Sequence, residues 1–517
     1  MGLLVRGRYS VALAVIGVAA YCNSPLGQYC YDDVSAIQNR KTIETWASLP
    51  KLASRDYGPA FGEMSYRPLV SLTYFVDAKI FGKTPFFSRW INLALHLAVG
   101  FLLFGFWNDL FGRPALSFLA AAIFLCHPLT TEAVDCAGFR EEPLSTLLMT
   151  GSMWLMLRGL LAAPSPWRFS LPAAALWLLA LLSKESAVMA AALAPMAFWA
   201  SPAVRNALRP WDRSKAKWLA LSLVGFAVAL GVYLCLYLVF SYRSLKSPWP
   251  GGHGPLLGFL NFCRTFPLYL RLWLIPIGLS VGHYFQVSTS YADWRLWAGA
   301  ATVGLFALGS LWAFARGCLA GVGGLWVCIS LVPVAQIIPT PELLAERFLY
   351  LPHAGMSFLF AALLIAAGDA LQRLRPGRAW TWNAGVGALI LAWVALTFGR
   401  NRDWRDDATL NIRRYEQWNS AEGRVALGAL YHSRNEQDKA VEFYLQALRM
   451  NPDLADAHRN LGLIYLQRGE LDLARPHLEK AVQLEPANAK NRLALEWLNK
   501  GRAPRVGGDS RPLSETP

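Results

Sequence analysis

The change in character near residue 400 constrains the fold of this chain more than any other feature. Before it, long apolar runs recur between short polar connections; after it, residues 401–517 carry the mixture of charged and apolar residues of an ordinary soluble domain. With 55% of 517 residues hydrophobic and 16% charged, the first part holds more apolar surface than one core can hide, so most of it must face lipid. Backbone polar groups in lipid must be satisfied within their own segment, which makes the crossing elements helices. Apolar runs lie at 9–22, 90–110, 115–131, 143–161, 171–183, 186–200, 218–240, 295–314, 319–338, 350–369 and 380–399. That is about eleven crossings, each close to the roughly 17–25 residues a spanning helix needs, two of them short. The expected fold is all-α: a polytopic membrane bundle over 1–400, a helical connector over 401–420, and a soluble helical domain. The junction falls near Arg400-Asn-Arg-Asp-Trp-Arg-Asp-Asp407.

The net charge of +15 would suit a nucleic-acid partner if it formed one patch, but it does not. Arg205, Arg209, Arg213, Lys215 and Lys217 share one short connection, and Arg373, Arg375 and Arg378 share another. Excess Lys and Arg in short loops marks the cytoplasmic face of a membrane protein, so no nucleic-acid partner is expected. With these loops, the N-terminus, Arg113, residues 158–168 and Arg316 in the cytoplasm, the alternation is self-consistent. The opposite face then holds loop 23–89, the 132–142 turn, Lys184-Glu185, loop 241–293, the 339–349 turn and the C-terminal domain. Residues 255–280 are apolar but contain Asn261, Arg264, Pro267, Arg271 and Pro276, and are read as re-entrant or interfacial; if they cross, the C-terminal domain moves to the cytoplasm. Arg6 and Arg8 precede the first run as in a signal peptide, but no cleavage site is convincing, so it is read as an uncleaved span. In loop 23–89, Ile43, Trp46, Leu49 and Leu52 have the spacing of a helix lying on the membrane surface. The eight Cys show no metal-ligand spacing; Cys22 and Cys30 could pair on an oxidising side, but small buried thiols are the preferred reading.

Residues 421–488 repeat with a period of 34. Leu427, Gly428, Tyr431, Ala440, Tyr444, Ala447 and Pro452 are answered by Leu461, Gly462, Tyr465, Ala474, Leu478, Ala481 and Pro486. Small residues where two helices touch, large ones in the holes between, and Pro at the turn make the tetratricopeptide pattern. The repeats are 421–454 and 455–488, with 489–500 as a cap and a Pro-, Gly- and Ser-rich tail, 501–517, expected to be disordered. Such repeats bind proteins or peptides and perform no chemistry; a stabilising or dimer contact is the plainer alternative for so short an array.

The polar clusters at the span ends gather on one face: Tyr31-Asp32-Asp33, Tyr66-Arg67-Pro68, His127 to Glu132 with Asp135, Arg140-Glu141-Glu142, Ser183-Lys184-Glu185 and Glu346-Arg347. Transfer of a sugar from a polyprenyl phosphate needs this mixture. An acceptor hydroxyl must lose a proton to a carboxylate, and the departing phosphate must meet Arg, Lys or a metal. Asp32 or Asp33 can supply the base, and Lys184, Arg140 and Arg347 the phosphate contacts. Each residue also has a plainer role. Asp32-Asp33 can cap a helix or hydrate a span end, His127 before Pro128 can end a helix, Lys184-Glu185 can be a neutralising pair, and Arg347 can snorkel.

Taken in order, Tyr31-Asp-Asp33, Tyr66-Arg-Pro68, Asn92 with His96, His127-Pro-x-x-Thr-Glu-Ala-Val134, Leu182-Ser-Lys-Glu185 and Ala345-Glu-Arg-x-Leu-Tyr350 resemble the transmembrane and tetratricopeptide-repeat-containing O-mannosyltransferases, of the GT-C class of membrane glycosyltransferases. The resemblance covers nearly the whole chain. It implies a lipid-linked mannose donor, inverting transfer to Ser or Thr hydroxyls of proteins, and a base in the acidic pair, carried over to Asp32 and Asp33 with a slight preference for Asp33. On this reading Arg347, Lys184 and Arg140 hold the donor phosphate, and Tyr66, Arg67, His127, Glu132 and Glu185 line the substrate site. The chain departs from eukaryotic members in having far fewer repeats. It therefore looks bacterial, which implies a polyprenyl-phosphate sugar, an inner-membrane location and periplasmic repeats, and leaves protein and glycan acceptors both open. No metal or other cofactor is implied. Two rivals remain. A lipid-linked sugar flippase would need internal symmetry and mid-membrane polar groups, and neither is visible. A scaffold would need only one or two spans.

Overall fold

The computed structural model describes residues 3–61, 65–161, 166–209, 212–241, 254–340, 342–375, 377 and 379–501. Among them every regular element is a helix, and the chain divides into two compact units. The first comprises residues up to Asp407 apart from Gly282–Tyr284; the second comprises those three residues and the chain from Ala408. The expected disordered tail lies outside the described residues apart from Gly501.

The first unit is a multi-pass membrane bundle. Among the described residues, seven helices are long and apolar enough to cross: Gly7–Leu26, Pro85–Phe111, Ala137–Leu161, Arg213–Phe240, Trp294–Ala315, Glu346–Leu374 and Trp380–Arg400. A further pair, Pro114–Cys126 and Pro128–Asp135, bends by 52° where Pro128 removes a backbone donor. Ser170–Leu181, Glu185–Ala200 and Leu319–Val334 are shorter apolar helices, so each apolar run of the sequence is helical. Several present large apolar side chains outward: only 6% of the most apolar window of Trp294–Ala315 is buried, leaving Leu305, Leu308 and Trp312 exposed. Such a face is stable only against lipid. The interior is packed instead around Trp107, Trp326, Phe124 and Phe358, all buried.

The amphipathic surface helix expected over Thr42–Tyr57 is not a single helix. The segment forms two 3₁₀ stretches, Lys41–Glu44 and Trp46–Ala53, followed by a short α-helix, Tyr57–Phe61. Pro50, inside the second stretch, is incompatible with a continuous α ladder. Ile43 still points inward and Trp46 lies edge-on to Phe75 at 5.0 Å. Residues 254–274 are helical and amphipathic, with Pro267 inside and Arg264 and Arg271 on the polar side, and fall short of the apolarity of the spanning helices. All eight cysteines are free.

The second unit is a stack of helices. Asp407–Gln417 leads from the first unit, two hairpins follow (Ala421–Ser433 with Gln437–Met450, Ala455–Gln467 with Leu471–Leu484), and Ala489–Asn499 closes the array. The 34-residue repeat is physical: a Cβ on Gly428 would lie 2.6 Å from Tyr444, and one on Gly462 would lie 2.7 Å from Leu478, so each small residue admits its large partner.

Candidate active site

The acidic pair lies just beyond the first span, in a loop fixed by buried polar groups. Arg89, fully buried in the helix Pro85–Phe111, donates to the carbonyls of Ser24 at 3.1 Å, Gln28 at 2.5 Å and Trp404 at 2.7 Å. Tyr31 then takes φ +55°, a left-handed conformation uncommon for a non-glycine residue, with its N–H donating to Asp407 Oδ1 at 2.9 Å. The two carboxylates that follow this turn have different surroundings.

Asp33 points inward and is fully buried. Its carboxylate accepts from the Gly138 N–H at 2.6 Å, the Cys136 thiol at 3.1 Å and the Cys30 N–H at 3.4 Å. Burial raises its pKa, opposed by the charge of Arg89 and by these hydrogen bonds. Asp32 is only half-buried, and among the described residues its carboxylate accepts no hydrogen bond. Burial pushes its pKa up to about 6, against the lowering influence of Arg347 and with the carboxylates of Glu342 and Glu141 adding to the rise. Gly138 makes this arrangement possible. A Cβ there would lie 3.1 Å from the Asp32 backbone carbon and 3.2 Å from its Cβ, closer than side chains ordinarily approach, so glycine lets the 136–139 turn close on the pair without a shift.

Around Asp32 stands a network of ion pairs. Glu132 accepts from the backbone N–H of Arg347 at 2.9 Å and from its Nη1 at 2.6 Å, while Nη2 pairs with Glu342. The Arg347 guanidinium lies 4.2 Å from the centre of the Phe139 ring. Lys184 pairs with Glu142. Arg67 donates to both oxygens of Glu185 at 3.1 Å and to Glu141 at 3.3 Å, and Ser65 adds a bond to Glu185 at 3.2 Å. Asp32, Arg67, Glu132, Lys184, Glu185 and Arg347, distant in sequence, thus belong to one charged patch, joined by Glu141, Glu142 and Glu342, which the sequence reading did not assign to the site.

Three expected site residues sit elsewhere. Arg140 is fully buried; it donates to Asp77 at 2.6 Å, Asn92 at 2.9 Å and the Ser88 carbonyl at 3.2 Å, and lies over the Tyr74 ring. With its donors engaged inside the bundle it does not reach a lipid phosphate. His127 is also interior: Nδ1 accepts from the Leu129 N–H at 3.2 Å, Nε2 donates to the Trp273 carbonyl at 2.8 Å, and the ring stacks on Trp273. It ends the helix before Pro128, the plainer of its two readings. Tyr66 is buried against Tyr57 and Phe240, with its hydroxyl donating to the Leu52 carbonyl at 3.0 Å, so it braces the loop and does not face the patch. Glu346 turns away as well, accepting from the Ser280 N–H at 2.6 Å.

A TPR repeat family model matches residues 428–467, and a Tetratricopeptide repeat model matches 455–488. The chain is 24% identical over 498 residues to protein O-mannosyl-transferase TMTC3 of Homo sapiens, covering 87% of this chain and 52% of the relative. Over most of its length, this chain resembles the protein O-mannosyl-transferases. Protein O-mannosyl-transferase F38B6.6 of Caenorhabditis elegans is 22% identical over 500 residues, covering 93% of this chain and 63% of the relative. Human TMTC1 is 32% identical over a shorter stretch of 143 residues, 26% of this chain and 16% of that protein. The chain spans between about half and two thirds of the length of the two long matches. Among solved structures, the archaeal oligosaccharyltransferase AglB from Archaeoglobus fulgidus, in complex with an inhibitory peptide and a dolichol-phosphate, matches with TM-score 0.39 and 12% identity over 82% of this chain and 59% of that one. That likeness is too loose to align a site.

Proposed function

We propose that this protein is an inverting GT-C-type glycosyltransferase that moves mannose from a polyprenyl phosphate to a Ser or Thr hydroxyl of a protein, on the extracytoplasmic face of a bacterial inner membrane. The repeats on this reading are periplasmic and meet the acceptor. The observation that carries the proposal is a half-buried carboxylate, Asp32, within the electrostatic influence of a partly exposed cation, Arg347, in a membrane bundle that resembles the O-mannosyl-transferases.

Asp32, rather than the Asp33 that the family resemblance slightly favours, takes the general-base role, because the Asp33 carboxylate is sealed inside and holds the Gly138 turn. The acceptor hydroxyl gives its proton to Asp32 as its oxygen forms the bond to the anomeric carbon. The bond from that carbon to the phosphate oxygen breaks on the opposite side, and its electrons leave with polyprenyl phosphate. A carboxyl with pKa about 6 is largely ionised at neutral pH and still basic enough to share the proton in the transition state. Arg347 receives the phosphate through Nη2 by releasing Glu342, while Glu132, buried on its other side, keeps the guanidinium in place. Lys184 and Arg67 complete the cationic side, and no resident metal is invoked.

The test is transfer by purified protein in proteoliposomes supplied with radiolabelled polyprenyl-phosphate mannose and envelope proteins from a strain lacking the gene. The expected product is alkali-labile mannose on Ser or Thr, located by mass spectrometry. Label recovered only in glycan or lipid would overturn the protein acceptor, and label remaining wholly on the donor would overturn the transferase reading.

A further inference from the structure

The junction Arg400-Asn-Arg-Asp-Trp-Arg-Asp-Asp407 links the membrane unit to the soluble helices and has no part in the chemistry above. Yet it and the turn before it meet the acidic loop at one point after another. Asn23 Nδ2 donates to the Phe398 carbonyl at 2.9 Å, and Asn401 Nδ2 donates to the Ala20 carbonyl at 2.9 Å and Asn23 Oδ1 at 2.7 Å. Trp404 is fully buried, and its carbonyl takes Arg89 Nη2 at 2.7 Å, with the Cys30 thiol at 3.7 Å. The Gln28 N–H donates to the Arg405 carbonyl at 2.7 Å, and the Tyr31 N–H to Asp407 Oδ1 at 2.9 Å. The approach tolerates no side chain at Gly27, where a Cβ would lie 3.0 Å from the Trp404 carbonyl oxygen and 2.4 Å from Arg89 Nη1.

The last of these bonds bears on the base. Tyr31 is held at φ +55°, and such a conformation in a non-glycine residue persists only where its surroundings over-determine it. Its torsion sets the direction in which the backbone enters Asp32. We propose that Asp407 is a positioning residue for the general base: by holding the Tyr31 N–H it fixes the left-handed turn that aims Asp32 at the acceptor. The inference rests on Asp32 being the base. Asp407 is also the first residue of the helix Asp407–Gln417.

The test compares Asp407→Leu, which keeps volume but removes the acceptor oxygen, with Asp407→Asn, which keeps the oxygen. Full-length protein in proteoliposomes is assayed for mannose transfer from polyprenyl-phosphate mannose and, separately, for hydrogen exchange of the Tyr31 amide. For the leucine variant the expected result is a maximal rate lowered at least tenfold, a half-saturating donor concentration within twofold of wild type, and Tyr31 exchange at least tenfold faster. The asparagine variant should recover both rate and protection to within threefold. Asp407→Ala replaces the leucine variant if that does not fold. Unchanged exchange, an unchanged rate, or an asparagine variant as impaired as leucine would each overturn the proposal. An Asp32→Asn control separates the two readings: if it retains full transfer, the base assignment fails, whatever the Asp407 variants do.

Discussion

Replacing Asp32 by Asn should abolish transfer while making the protein more stable, a combination that a structural role for this residue cannot produce. The carboxyl moves from an ordinary value of 3.8 to about 6, with burial the main cause. Each pKa unit corresponds to about 1.4 kcal/mol, so the buried anion opposes folding by about 3 kcal/mol above both values. The folded state binds this proton more tightly than the unfolded chain, so the penalty is present above about pH 6 and disappears as pH falls from about 6 towards 3.8. Asn carries no charge and removes the penalty at neutral pH. Water at the half-exposed carboxylate reduces the gain to roughly 1–2 kcal/mol. Loss of a general base lowers the rate about 10²- to 10⁴-fold. The assay is labelled-mannose transfer in proteoliposomes alongside thermal unfolding of the same preparation. Wild-type protein should also lose about tenfold in rate between pH 7 and pH 5, since only the ionised carboxylate accepts a proton. An Asp32→Asn protein that transfers within tenfold of wild type, or that melts lower, refutes the reasoning.

Asp33→Asn should act in the opposite sense. Its amide cannot accept from all of Gly138 N–H, the Cys136 thiol and Cys30 N–H, so unfolding in denaturant should show a loss of about 1–3 kcal/mol. Arg347→Met removes the cation that lowers the Asp32 pKa, so the acid limb of the pH–rate profile should move to higher pH, and the half-saturating donor concentration should rise at least tenfold. Gly138→Ala places a Cβ 3.1 Å from the Asp32 backbone; the transfer rate should fall about tenfold with little change in donor binding, as the turn and the acidic pair separate. Glu342→Gln, which removes the exposed competitor for Arg347, should lower the half-saturating donor concentration several-fold, read from initial rates against polyprenyl-phosphate mannose.

The helical architecture was legible because its signals are local. Apolar run length sets a span, and the recurrence of Gly428 and Tyr444 as Gly462 and Leu478 sets a helical hairpin without knowledge of anything else in the chain. The surface segment departs from the apolar spacing of Ile43, Trp46, Leu49 and Leu52 because Pro50 removes a backbone donor and the segment lacks the tertiary packing that holds Pro267 within its α-helix. At the site, residue type identified which groups were unusual and could not say which way they face. Arg140 and Arg347 are both arginines next to a glutamate at a span end, yet one is enclosed by Asp77 and Asn92 while the other keeps an exposed partner. Asp32 and Asp33 are adjacent and identical, yet one is half-buried and the other is sealed against Gly138, Cys136 and Cys30, after a left-handed turn at Tyr31. The residues that set this turn, Gly138 and Asp407, come from distant parts of the chain; a glycine between clusters of polar residues and an acidic junction were the sole traces they left.

The charge of the patch bears on how the donor would enter. Asp32, Glu132, Glu141, Glu142, Glu185 and Glu342 supply six carboxylates against the three cations Arg67, Lys184 and Arg347. An anionic phosphate does not add to such a group; it must replace a carboxylate. Burial decides which one. The Glu132 and Glu142 side chains are 1% and 5% exposed, and stripping either from its partner would leave an unpaired charge in the interior. Glu342, at 39% exposed, can exchange its bond to Arg347 for one to water at little penalty. On the proposed function, a donor phosphate would gain Arg347 by displacing Glu342, and Glu342 would regain it when the lipid phosphate departs. Glu342 would weaken the phosphate contact throughout, and the contact would grow as the bond to the sugar breaks and negative charge collects on the leaving oxygen. That is the differential binding catalysis requires, and it also lets the spent lipid go.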